Sequence, residues 1–227
     1  MKIYRYLHRG RIAQSSVLPE GAVLLPPTVP TKIVCIGRNY ADHAKELGNE
    51  APSEPLLFLK PPSALLAPGG TIVKPSQSQL VHHEGELAIV IGREAKNIHV
   101  DDWRDYVLGF TCANDVSARD LQRKDVQFTR GKSFDTFCPV GPHIETDLDP
   151  SDLRIVTRVN GQVKQDGRTS QMIFPCNVLL SYVSEHMTLM PGDLILTGTP
   201  AGVGSLSAGD TVEVEIEGIG TLRNEVA

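Results

Sequence analysis

The first residues that could carry chemistry stand in the segment His83-Glu84-Gly85-Glu86. Side chains alternate along a strand, so in an extended segment Glu84 and Glu86 point to the same side, about 7 Å apart along the chain. Two carboxylates on one face, followed by the apolar run from Ala88 to Gly92, are costly unless a cation or basic groups compensate them. A hard divalent ion meets that need, because magnesium takes oxygen ligands and keeps several waters or substrate oxygens in its shell. A solvated strand face carrying two glutamates is the competing reading, and the spacing alone does not choose between them. Asp115 closes the apolar run FTCAND. At a strand end facing the glutamates it would complete a three-carboxylate site with open positions, and it could equally cap the polar helix SARDLQRK that follows.

His43 and Glu46 lie three apart in the helical segment NYADHAKEL, so their side chains can meet on one face. A carboxylate that holds one imidazole nitrogen fixes the tautomer and leaves the other free to take a proton. The same pair is also a common surface arrangement. Lys132 in TRGKSF and Lys60 before Pro61-Pro62 could hold a substrate carboxylate, or could be solvated surface charges. The motif from Gly198 to Gly204 could offer a hydroxyl and backbone N–H groups to an anion, but it lacks the lysine of a P-loop and the spacing of a dinucleotide fingerprint, so a tight turn is its default reading.

The elements that must position these groups are mostly strands. From Thr31 the chain reads TKIVCIG, then the helix NYADHAKELG, then LLFLK, TIVKP and one long strand through LVHHEGELAIVIG. Asp101-Asp102 suit a helix start ahead of the strand FTCAND. Asn160-Gly161 marks a hairpin between LRIVTRV and QVKQDG, and a helix is expected over NVLLSYVSEHM with Pro175 suiting its first turn. Alternation of Val and Ile with Glu in TVEVEIEGIGTLRNEV reads as a strand with one wet face. Residues 1–30 end in the proline-rich LLPPTVP, which cannot be regular helix, and read as a lead-in to a single domain over 31–227.

With 227 residues, 41% of them hydrophobic, the chain is long enough to bury one well-packed core. A formal charge of −5 leaves no net-basic surface for nucleic acid, and no stretch approaches the ~20 apolar residues of a membrane span. Cys35, Cys112, Cys138 and Cys176 are far apart and form no CxxC pair, so reduced thiols in a cytoplasmic setting are expected.

Six blocks in order carry a resemblance over about residues 31–215: IVCIGRNYADHAKE, PLLFLKPPSALL, VHHEGELAIVIG, GFTCANDVSARDLQ, GKSFDTFCPVGP and MPGDLILTGTPAGVG. Together they resemble the fumarylacetoacetate hydrolase family, in the short branch of acylpyruvases, oxaloacetate decarboxylases and 2-hydroxyhepta-2,4-diene-1,7-dioate isomerases. The resemblance implies an α+β, strand-dominated fold, a mixed β-sheet rolled into a flattened barrel with short flanking helices and paired as a homodimer. It implies that Glu84, Glu86 and Asp115 ligate Mg2+ or Mn2+, that His43 and Glu46 form a water-activating dyad on a lid helix, and that Lys132 stands beside the substrate. Arg38, Lys60, Gln122 and Thr199 match positions associated with substrate contact. The larger members carry an extra N-terminal domain that this chain is too short to contain, so fumarylacetoacetate itself is not the expected substrate.

The chemistry implied is metal-dependent cleavage of a C–C bond in an acylpyruvate-type 2,4-dioxo acid, releasing pyruvate through a stabilised enolate. The same electron sink would serve oxaloacetate decarboxylation or tautomerisation, or an isomerase of aromatic catabolism. A non-catalytic metal-binding subunit is a reading that retention of all these residues argues against.

Overall fold

The computed structural model describes residues 1–227. The strands of the first half are β1 (Lys2–His8), β2 (Arg11–Ser15), β3 (Val23–Leu24), β4 (Ile33–Gly37), β5 (Leu56–Lys60), β6 (Leu65–Leu66), β7 (Thr71–Ile72), β8 (Val81–His83) and β9 (Gly85–Ile91). Those of the second half are β10 (Val107–Asn114), β11 (Ser117–Ala118), β12 (Cys138–Glu145), β13 (Arg154–Val159), β14 (Gln162–Arg168), β15 (Leu194–Leu196), β16 (Gly204–Ser205), β17 (Thr211–Ile216) and β18 (Gly220–Val226). Four short α-helices interrupt them: α1 (Ala41–Glu46), α2 (Arg119–Lys124), α3 (Thr129–Lys132) and α4 (Cys176–His186). No helix is long and apolar enough to cross a membrane.

The largest sheet runs in the order β2-β1-β12-β10-β9-β15-β4-β5, with β3 added to β1 and β6 to β12. A five-stranded sheet, β14-β13-β17-β18-β7, and a three-stranded one, β11-β8-β16, complete the fold. Both parallel and antiparallel pairs occur; β15 runs parallel to β4 and antiparallel to β9. The strand-dominated α+β fold is therefore as expected, while the large sheet keeps two free ends, β2 and β5, so its roll is not closed into a barrel.

Strand β9 is buried at every position because it is covered on both faces, which is why its sequence is a continuous apolar run after Glu86. Leu87, Ile89 and Ile91 pack with Leu179, Leu180 and Val183 of α4 and with Val214 and Ile216 of β17. Ala88 and Val90 pack on the other side with Ile33, Cys35, Leu194 and Leu196. Glu86 shares the parity of this second face, so its carboxylate enters an apolar setting at the strand end.

Three elements differ from expectation. The long strand over 80–92 is two strands, because Glu84 leaves the ladder. Its N–H donates to the Asn114 side chain at 2.9 Å, and its carbonyl accepts the Asp115 N–H at 2.8 Å. The segment over 211–226 folds back as the hairpin β17–β18, turning near Gly218 with φ +79°. Residues 1–30 contribute β1, which pairs with β12, and the β1–β2 hairpin, rather than only leading in. The proline-rich stretch before Pro30 is irregular, Asn160-Gly161 makes the β13–β14 turn with φ +52° and +77°, and Pro175 caps α4 instead of lying in its first turn. Asp101-Asp102 precede a single 3-10 turn, Trp103–Tyr106. All four cysteines are buried and unpaired.

Candidate active site

Glu84, at the break between β8 and β9, Glu86, in the first turn of pleat of β9, and Asp115, just past β10, are brought together. One carboxylate oxygen from each lies within 4.8 Å of the others, and all three residues are buried. Register explains the meeting: β10 runs antiparallel to β9 with Asn114 opposite Gly85, so the end of one strand faces the start of the other. The break at Glu84 lets the chain pass from the three-stranded sheet to the large one while aiming its carboxylate at Asp115.

Three buried cations surround the triad. Lys132, the last residue of α3, donates to Glu84 Oε2 and Asp115 Oδ2, 2.7 Å from each. Lys60, the last residue of β5, donates to Asp115 Oδ1 at 2.6 Å and to the Val116 carbonyl at 3.1 Å. Arg119, the first residue of α2, donates to Glu84 Oε1 and to the Gln122 side-chain oxygen. Burial alone would lift the Glu84 carboxyl, but Lys132 and Arg119 reverse this and hold it well below the usual carboxylate range. Burial would likewise lower Lys132, and Asp115 with Glu84 overcome it, holding the ammonium above the ordinary lysine value.

Glu86 is different. Its Oε2 accepts the Gly198 N–H at 2.7 Å, and it forms no ion pair. Burial first, then the neighbouring Asp115 and Glu84, push its carboxyl well above the usual range. A buried carboxyl without a cationic partner, next to two that are each paired with cations, is the arrangement a divalent cation relieves. Three hard carboxylate oxygens suit magnesium or manganese, and the donor set offers no thiolate or imidazole that would favour a softer ion.

On α1, His43 Nδ1 lies 3.1 Å from Glu46 Oε2. Glu46 Oε1 accepts the Gly202 N–H at 3.0 Å, so the carboxylate is held from both sides. His43 is buried and its Nε2 makes no hydrogen bond within the chain. The glycine-rich segment from Gly198 to Gly204 does offer N–H groups to carboxyl oxygens, and these belong to this chain's own Glu86 and Glu46.

These groups line one cavity of about 250 Å³. Of the residues singled out from sequence, Arg38, His43 and the three carboxylates face it, as do Gln122, Lys132 and Thr199. Lys60 does not: it is 1% exposed behind Asp115, and its ammonium is engaged there. Glu46 reaches the cavity through His43. The Thr199 hydroxyl is committed at both ends, donating to the Gly85 carbonyl at 2.9 Å and accepting from Gln165 Nε2 at 2.7 Å. Asp115 is not a side-chain cap, since α2 begins after Ala118 without one.

Sequence reasoning passed over Arg119, whose place at the start of SARDLQRK, three residues before Gln122, was the available signal. It also passed over Arg123 and the ring pair Phe58 and Phe128, edge-on at 5.6 Å, which form part of the wall. Gly85 stands at a close approach: a Cβ there would lie 2.1 Å from Thr157 Oγ1.

Residues 32–227 match the model of the fumarylacetoacetate (FAA) hydrolase C-terminal family. The chain belongs to the fumarylacetoacetate hydrolase family. Within that family it is 47% identical to human oxaloacetate tautomerase FAHD2A, mitochondrial, over 232 residues, covering 96% of this chain and 74% of the relative. The crystal structure of 5-carboxymethyl-2-hydroxymuconate delta-isomerase from Mycobacterium smegmatis is 43% identical, with a TM-score of 0.94 over 100% of this chain and 99% of that one. The 2-hydroxyhepta-2,4-diene-1,7-dioate isomerase from Mycobacterium marinum is 44% identical, with a TM-score of 0.93 over 100% and 98%. Members of the fumarylacetoacetate hydrolase family with such names are enzymes acting on small molecules. In this chain the acidic triad lines the cavity described above.

Proposed function

We propose that this chain moves a proton at the carbon next to the oxo group of a 2-oxo acid, interconverting keto and enol forms, with magnesium or manganese held by Glu84, Glu86 and Asp115. The observation that carries the reading is His43: its Nδ1 is held by Glu46, and its uncommitted Nε2 belongs to a residue lining the same cavity as the carboxylate triad. The tautomerase and isomerase names of the relatives support proton transfer over bond cleavage.

In this reading His43 Nε2 accepts the proton from the substrate carbon, and the C–H bonding pair moves toward the oxo oxygen, which takes a proton from solvent. Glu46 accepts the Nδ1 hydrogen bond, fixes the tautomer and offsets the charge that forms on the ring. Lys132 and Arg119 hold Glu84 ionised, so it stays a ligand rather than a proton store. A divalent ion held by Glu84, Glu86 and Asp115 would supply a Lewis acid for charge gathering on the oxo oxygen. The wall rings Phe58 and Phe128 limit water beside the reacting carbon.

A second reading keeps hydrolysis of an acylpyruvate. A dyad that takes a proton from carbon can take one from water, and the His43–Glu46 geometry serves both. Pyruvate release separates the two. Conversion of enol to keto oxaloacetate without pyruvate release from acetylpyruvate supports proton transfer; rapid release from acetylpyruvate establishes the hydrolase instead. Absence of both across a panel of 2-oxo acids would overturn both.

A further inference from the structure

The segment from Gly198 to Gly204 holds two parts of the site at once. Gly198 N–H donates to Glu86 Oε2 at 2.7 Å, and further along Gly202 N–H donates to Glu46 Oε1 at 3.0 Å. One short stretch of backbone therefore ties a carboxyl of the triad to the carboxylate of the dyad. The second tie matters for α1, because residues 41–53 make no other hydrogen bond to the chain beyond Tyr40. Ahead of the helix the chain is already fixed, with Asn39 Nδ2 donating to the Phe174 and Thr197 carbonyls at 3.0 and 2.7 Å. What braces the 198–204 segment is β14. Gly202, at φ +100°, lies so close to this strand that a Cβ there would fall 2.1 Å from the Lys164 carbonyl oxygen. The next strand residue, Gln165, is 0% exposed and uses every hydrogen-bonding position of its amide. Its Nε2 donates to Thr199 Oγ1 and to the Pro200 carbonyl, both at 2.7 Å. Its Oε1 accepts from Gly85 N–H at 3.0 Å and from His83 Nδ1 at 3.2 Å. A carbonyl can only accept and a backbone N–H only donate, so the amide has a single orientation. It joins the middle of the 198–204 segment to the two residues that flank Glu84.

We infer that Gln165 is a positioning residue for the proton transfer: it braces the 198–204 segment and, through the two N–H groups of that segment, sets where the His43–Glu46 dyad stands relative to the carboxylate triad. The inference rests on the function proposed above for the reaction that is positioned, and on the hydrogen bonds alone for the brace. The competing role is support of the fold at large, which any buried and fully bonded amide gives. The two roles differ in reach. Loss of general support loosens every element packed on β14, whereas loss of the brace frees the 198–204 segment and, through Glu46, the far end of α1.

Hydrogen–deuterium exchange of the full-length, Mn2+-loaded protein separates them. Gln165→Met should speed exchange over 198–204 and 40–48 by about tenfold, the scale of one or two lost hydrogen bonds, with 87–91 and 107–112 unchanged. In a Glu46→Ala background α1 has already lost its tie, so Gln165→Met should add little at 40–48 and as much as before at 198–204. Gln165→Glu keeps both acceptors and removes both donors; it should give the same pattern, and it carries the test where the methionine variant does not fold. Turnover of enol oxaloacetate should fall about tenfold or more in either variant, because the base no longer meets the substrate in one place. Unchanged exchange at 40–48, or a rise spread evenly over the chain, would overturn the brace. The localised pattern together with wild-type turnover would overturn the part of Gln165 in the reaction. The same pattern in a protein whose wild type has no tautomerase activity would leave the brace standing and remove the proposed reaction, so the two can fail separately.

Discussion

The Lys132 ammonium lies 2.7 Å from both Glu84 Oε2 and Asp115 Oδ2, so one buried cation joins carboxylates contributed by the break before β9 and the end of β10. Removing one partner of such a pair leaves charge in a setting that cannot solvate it. Lys132→Met should cost about 3–5 kcal/mol in chelator, read from the denaturant midpoint, and added magnesium should recover part of that loss. An unchanged midpoint in chelator would mean that Arg119 and Lys60 already suffice.

His43→Ala should lower the proton-transfer rate by about 10²- to 10⁴-fold while leaving Mn2+ affinity intact, because His43 does not ligate the triad. Glu46→Gln should act in the same direction but less, since the amide oxygen can still accept from Gly202. Parallel rate measurements and Mn2+ titrations check this. If affinity fell as far as rate, His43 would be a support for the metal site and not the base.

Gly85 stands where the five-stranded sheet presses against β9: a Cβ would meet Thr157 Oγ1 at 2.1 Å and the Val214 methyl groups at 3.2 and 3.3 Å. Gly85→Ala is expected to cost about 1–3 kcal/mol through overpacking. Thr157 is buried and its hydroxyl has no partner, so adding Thr157→Ala should restore part of the loss and make the pair non-additive. Thermal unfolding of the single and double variants measures the coupling; strict additivity would contradict the contact.

Asp193, after the loop behind α4, accepts from the Thr31 N–H at 2.7 Å, the Thr31 hydroxyl at 2.8 Å, the Lys32 ammonium at 2.5 Å and the Met190 N–H at 2.8 Å. Burial would raise its carboxyl, but Lys32 and these donors hold it below the ordinary aspartate value. A lowered folded-state value stabilises the fold above the unfolded value near ~4, and that contribution fades as pH falls through the folded one. Asp193→Asn should therefore be most destabilising near neutrality, with the gap to wild type narrowing under acid. A gap that stayed constant down to acid unfolding would assign the loss to geometry alone.

The three carboxylates stood out because their residue types are costly where they stand, two of them two apart before an apolar run and an aspartate closing another, but the resemblance, and not the spacing, chose a shared ligand set over a wet strand face or a helix cap. Helical spacing showed that His43 and Glu46 could meet, as they do, while their role came from the resemblance; Asn160-Gly161 was legible from the backbone its turn requires. What sequence periodicity did not reveal depends on tertiary partners. Alternation continues through Glu84, and only the Asn114 side chain and the Asp115 N–H show that the ladder stops there. Alternation likewise runs through 211–226, although the chain reverses in the middle. Lys60 and Arg119 are both basic residues beside recognisable motifs; which one lines the cavity and which one stands behind Asp115 follows from packing that no local pattern encodes.

The central claim is that Glu84, with Glu86 and Asp115, holds the ion on which proton transfer at a 2-oxo acid depends. The most direct test follows decay of the enol absorbance of oxaloacetate with saturating magnesium and after chelation, for wild type and Glu84→Gln. The account predicts acceleration by the wild type that chelation abolishes and magnesium restores, none by Glu84→Gln, and Mn2+ affinity of that variant lowered by about two orders of magnitude. Acceleration that survives chelation, or a Glu84→Gln protein as active as wild type, would contradict it.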